Sequence, residues 1–201
     1  MSLVPATLQS SLVSIFSAMG NMSEGGDSYL AREMALAVKT FILTGAIATV
    51  DSGAASAGSY VGAGVGIMSI DNSALESALF DIFKEGYEDS DLADEIAFAI
   101  DDACTSDNVI SIVSTGVLTT PAGVSSPLVA NCGGSFTSSK SVISSLLVSC
   151  FSVMGSMPEG GDAYLALQLS LAIHAYMLAG IIDNAMDAPV FVSGSGVGKI
   201  V

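Results

Sequence analysis

The sequence predicts an α+β fold of internally repeated helix-pair units, each followed by short strands and a Gly/Ser-rich arm. Three observations carry this expectation. Ser10–Gly45 realigns without a gap on Ser145–Gly180, with about 20 of 36 positions identical, and self-similarity at a fixed offset marks a duplicated supersecondary unit. A diverged third copy lies between them, in Ala78–Glu85 (ALFDIFKE) and Asp91–Ala103 (DLADEIAFAIDDA). There Asp91-Leu92-Ala93 stands where the outer copies have Tyr29-Leu30-Ala31 and Tyr164-Leu165-Ala166. After each helical stretch the apolar period shifts towards alternation, which suits strands. The units are bounded as 1–70, 71–141 (the divergent one) and 142–201, and are expected to pack as one compact domain.

The first helix of each unit covers about Leu8–Met19, Ala74–Lys84 and Ser144–Met154. In the first copy Leu8, Leu12, Ile15, Phe16 and Met19 fall at helical spacing. The turns Glu24-Gly25-Gly26-Asp27 and Glu159-Gly160-Gly161-Asp162 follow, with glycines for the reversal and an Asp placed to cap the next helix. The second helix carries the stripe Leu30, Met34, Ala37, Val38, Phe41. It is matched by Leu92, Ile96, Ala99, Ile100, Ala103 and by Leu165, Leu169, Ala172, Ile173, Tyr176. The opposite face drifts from Arg32, Glu33, Lys39, Thr40 through Asp94, Glu95, Asp101, Asp102 to Leu167, Gln168, His174, Ala175. Packing constrains only one side of such a helix.

Ala46–Val50 and Val109–Val113 are expected to be strands. The segments VGAGVG (Val61–Gly66) and SGSGVG (Ser193–Gly198) alternate Gly with small or β-branched residues. That pattern suggests ribbons or extended arms able to pair with other strands, with flexible linker as the alternative. Ser114–Ser141 is expected to hold a hairpin.

Composition narrows the function. The 201 residues are 51% apolar with a mean hydropathy of +0.66, which excludes global disorder. Charged residues make up only 12%, so part of the exterior is either covered by partners or built from Ser, Thr, Asn and Gly. Five basic against twenty acidic residues, a net charge of −15, argue against direct contact with nucleic acid or an anionic membrane. Cys104, Cys132 and Cys150 are odd in number and lack CxxC spacing, so no disulfide framework is expected. Cys150 replaces Ile15 in the repeat and reads as a small buried hydrophobe. No signal peptide is expected, because the N-terminus lacks a basic region and an unbroken apolar core. Leu165–Ile182 approaches the length of a membrane span. Its counterpart Leu30–Ile47, however, carries Arg32, Glu33 and Lys39, so both are read as core helices.

Few residues suggest chemistry. Gly194-Ser195-Gly196-Val197-Gly198-Lys199 has the wrong glycine spacing for a phosphate-binding loop, and Ile200 follows the Lys. His174, the single histidine, maps to the outer helix face and reads as a surface or interface residue rather than a general base. The acidic run Glu85, Glu88, Asp89, Asp91, Asp94, Glu95 breaks the calcium-loop pattern and better suits a helix N-terminus. Met19, Met22, Met154 and Met157 recur beside the turns, as gap-fillers or as an adaptable contact surface. No catalytic, cofactor or metal residue is assigned.

Leu30–Gly53 (LAREMALAVKTFILTGAIATVDSG) with VGAGVG, and Leu165–Ile182 with GSGVGK, resemble small structural, virion-associated proteins of tailed bacteriophages. That resemblance implies a particle component or assembly factor, in the virion or in the host cytoplasm during assembly. The expected function is non-enzymatic, through self-association and contact with other particle proteins. Leu167 and Ala175 replace Arg32 and Thr40, giving the third copy an apolar outer face, so Leu167, His174 and Ala175 are interface candidates. Gly62, Gly64, Gly194 and Gly196 join them as pairing arms. The alternative is a surface or adhesion module whose acidic and Gly-rich loops hold a ligand or calcium.

Overall fold

A computed structural model describes residues 3–55, 58–106, 108–157, 159–186 and 191–201. Helices α1 (Pro5–Met19) and α2 (Gly26–Thr44) lead into strands β1 (Ile47–Ala55) and β2 (Gly58–Ile70). Then come α3 (Asn72–Glu85), α4 (Asp89–Thr105), β3 (Asn108–Thr119) and β4 (Ser125–Thr137). The chain finishes with α5 (Ser141–Met154), α6 (Gly161–Ala179), β5 (Ile181–Met186) and β6 (Phe191–Ile200).

All six strands close into one antiparallel barrel in chain order, with β6 pairing back onto β1. The helices form a second closed layer. Each packs on the next in sequence, and α6 returns to α1. This corrects the expected architecture of helix-pair units carrying short strands and Gly/Ser arms. The segments read as arms are strand backbone: β2 contains Val61–Gly66 and β6 contains Gly194–Gly198. Both are paired on two sides inside the barrel, β2 by β1 and β3, β6 by β1 and β5. The helices likewise do not stay in separate pairs, because α2 packs on α3 and α4 on α5 as α1 packs on α2. Stripes that look like a private interface for each pair instead converge on one shared axis.

Local sequence explains each helix. Pro5 opens α1, where its fixed φ suits the first turn and its missing N–H costs nothing; Leu8, Leu12, Ile15 and Phe16 are buried. In α3 the Asp71 side chain accepts hydrogen bonds from the backbone N–H of Ser73 (2.8 Å) and Ala74 (3.4 Å). Helices α2 and α6 begin differently from expectation. Their N-caps are Gly25 (φ 73°) and Gly160 (φ 82°), in the left-handed region that a side chain would strain. Asp27 and Asp162 lie in the first turn of each helix, where a negative charge suits the helix dipole, and are not the N-cap residues.

Phe16, Leu30, Met34, Phe83, Leu92, Ile96, Leu147, Phe151, Leu165 and Leu169, drawn from all six helices, surround a cavity of about 170 Å³. At the barrel end of the helices, Tyr176 meets Phe136 of β4 edge-on, with ring centroids 5.6 Å apart. The Tyr176 hydroxyl donates to Asp101 Oδ1 at 2.7 Å, linking α6 to α4. Burial, reinforced by nearby Cys104 and by Asp101, pushes the Tyr176 pKa upward.

Candidate functional site

The strands of the barrel alternate between lumen and exterior over most of their length. Where the strands join the helices, Ile47, Ile70, Ile110, Phe136, Ile182 and Ile200 turn inward and are buried. Deeper in the lumen polar side chains and glycines join apolar Ile112, Ala130 and Cys132 at the inward positions. Thr49, Asp51, Ser114 and Asn184 are all buried there, with Asp51 fully so. Tyr60 Oη and Ser114 Oγ share a hydrogen bond of 2.8 Å. Asn184 Nδ2 donates to Asp51 Oδ1 at 3.0 Å, from β5 to β1 across β6.

The register shows why glycine stands beside these groups. Asp51 lies opposite Gly62 on one side and Gly196 on the other, and Asn184 is also opposite Gly196. A Cβ on Gly196 would overlap the Asp51 carboxylate and the Asn184 amide oxygen. One on Gly64 would overlap Thr49 and the Ile112 side chain. The GxGxG runs therefore make room for polar side chains inside a narrow barrel. Cys132 faces the same lumen; burial raises its thiol pKa, and the Asp51 charge raises it further.

The outward positions are valine-rich. Val50 is 75% exposed, Val109 69%, Val65 66% and Val61 65%, and Val113, Val117, Val129 and Val197 are exposed with them. Strand pairing sets them side by side: Val197 opposite Val50, Val61 opposite Val117, Val65 opposite Val113. The result is an outer face over β6, β1, β2, β3 and β4 in which exposed valines alternate with small and uncharged polar residues such as Ser52, Ala63, Ser111 and Thr115. Among the described outward strand positions, only Asp183 and Lys199 are charged.

The residues expected to form an interface are divided between layers. Leu167, His174 and Ala175 are half-buried on α6. The His174 ring is tilted against buried Phe41, with centroids 6.4 Å apart. Gly62, Gly64 and Gly196 lie on the lumen-facing register, and Gly194 pairs with Gly53. The valine wall escaped the sequence reading although its signal was present: in VGAGVG and GSGVG the residues that alternate with glycine are those that face outward.

The acidic run is spread along a helix start. Glu88 is the N-cap residue of α4, Asp89 and Asp91 lie in its first turn, and Asp94 accepts a hydrogen bond from Ser144 of α5. Among the described residues, no three His, Cys, Asp or Glu side chains converge as a metal site, and no helix is long and apolar enough to cross a membrane. Three cations stack on rings: Lys140 over Phe98 (4.7 Å), Lys84 over Phe80 (6.0 Å) and Arg32, which also pairs with Glu33, over Tyr29 (5.9 Å). No family model, curated protein or solved structure matches this chain.

Proposed function

We propose that this protein is a non-enzymatic structural component that acts by self-association through the outer wall of its barrel. The observation that carries this reading is the exposed valine surface across five adjacent strands. Covering one such valine returns on the order of 1 kcal/mol. Association costs at least ~4 kcal/mol in lost freedom, so several must be buried together, and the wall offers that number side by side. The occupant we infer is another copy of the chain. Apart from Asp51 and Asp183, the acidic residues described lie on the helices and their connections, so copies with a charge of −15 repel least when barrel meets barrel. The closed barrel has no free edge, so contact is by side chains rather than by strand addition. The setting we infer, a tailed-bacteriophage particle, rests on the sequence resemblance.

Light scattering over a micromolar concentration series tests this. The wild type is expected to form a discrete oligomer, and Val50→Lys combined with Val61→Lys is expected to be a folded monomer. A monomeric wild type contradicts the proposal. Leu167→Arg separates the two candidate surfaces: loss of assembly in that variant alone moves the interface to α6.

A further inference from the structure

The lumen poses a problem of charge that the contact function does not address. Asp51 is fully buried, and none of the inward strand positions around it is Lys, Arg or His. Among the described residues the one side-chain ion pair is Arg32–Glu33, on α2. An isolated carboxylate taken out of water costs more than the whole stability of a typical domain, so an ionised Asp51 needs its charge compensated. A single hydrogen bond from Asn184 does not achieve that.

The neighbouring atoms indicate the compensation. Three buried oxygens, Asp51 Oδ2, Thr49 Oγ1 and Asn184 Oδ1, have no hydrogen-bond partner. They come from β1 and β5 and lie around the side-chain-free positions of Gly64 and Gly196. Unpaired buried acceptors are rare and call for an explanation; here one belongs to the Asp51 carboxylate, with Thr49 on its Gly64 side and Asn184 on its Gly196 side. The set is all oxygen, as hard cations prefer. It carries one formal charge, whereas calcium sites usually recruit several carboxylates.

We propose that the barrel lumen is a binding site for a single monovalent hard cation of the sodium type, with Asp51, Thr49 and Asn184 as its side-chain ligands. The cation neutralises Asp51 and satisfies the three orphaned oxygens together. A water molecule would satisfy Thr49 and Asn184 but would leave the charge in place. The site is structural, because the isoleucine layer covers it towards the helices and buried Tyr60 lies on its other side.

The test is thermal unfolding of the full chain in sodium chloride against choline chloride at equal ionic strength. Sodium about a hundredfold above its Kd should raise Tm saturably by roughly 5–10 °C relative to choline. Thr49→Val removes one neutral ligand with little change of shape and should weaken the apparent sodium affinity several-fold. Asp51→Asn should abolish the difference between the salts. Equal Tm in both salts for the wild type overturns the proposal, and that measurement does not depend on any variant folding. An Asp51→Asn protein that is more stable in both salts also overturns it, since a bound cation would then not be what neutralises Asp51.

Discussion

Gly196 illustrates how a single position ties backbone to chemistry. Its missing side chain is the space in which Asn184 reaches Asp51, so Gly196→Ala is expected to displace both groups. Forcing a methyl group into a filled site costs about 1–3 kcal/mol, measurable as a lower urea midpoint at unchanged slope. The three thiols make a second residue-scale prediction. Cys104, Cys132 and Cys150 are free and buried, and burial raises the pKa of each. Thiolate is the reactive form, so all three should resist a disulfide-exchange reagent in the native state and react together on unfolding. Rapid reaction of Cys132 in the folded protein would show that the lumen is open.

At the scale of elements the helices were legible and the barrel was not. Met34, Val38 and Phe41, Ile96 and Ile100, and Leu169, Ile173 and Tyr176 are buried on the faces that helical spacing selects. That signal is local, because each helix reports its own buried side. Ile173→Ala should cost about 2–5 kcal/mol, as for other large-to-small changes in a close-packed core. Tyr176→Phe should cost about 1–2 kcal/mol in denaturant unfolding, since it leaves half-buried Asp101 without its donor. The strands are harder to read for two reasons. Closure depends on pairings such as Val50 with Val197, which no local period encodes. The alternation is also inverted: glycines face inward and valines outward, a pattern that suggests a Gly-rich pairing arm or a linker rather than a strand of a closed barrel. Asp27 and Asp162 misled for a smaller reason, because a glycine in the left-handed conformation can start a helix without any side-chain cap. Of the proposed sites, the lumen was invisible from sequence, since Thr49, Asp51 and Asn184 meet only across three strands.

At the scale of the molecule, an acidic ring of helices stands on a barrel whose valine-rich exterior carries only Asp183 and Lys199 as charges among the described outward positions. On the proposed function, this exterior is where copies meet. The most direct measurement is cysteine accessibility as a function of protein concentration, with Val50→Cys, Val61→Cys and Val129→Cys made one at a time and Glu76→Cys on α3 as the reference. The native thiols are buried, so a maleimide reports the introduced one. Labelling at the three barrel positions is expected to slow as concentration rises and the oligomer forms, while labelling on α3 is unchanged. Labelling of the barrel positions that is equally fast at all concentrations, with an oligomer present, would contradict it.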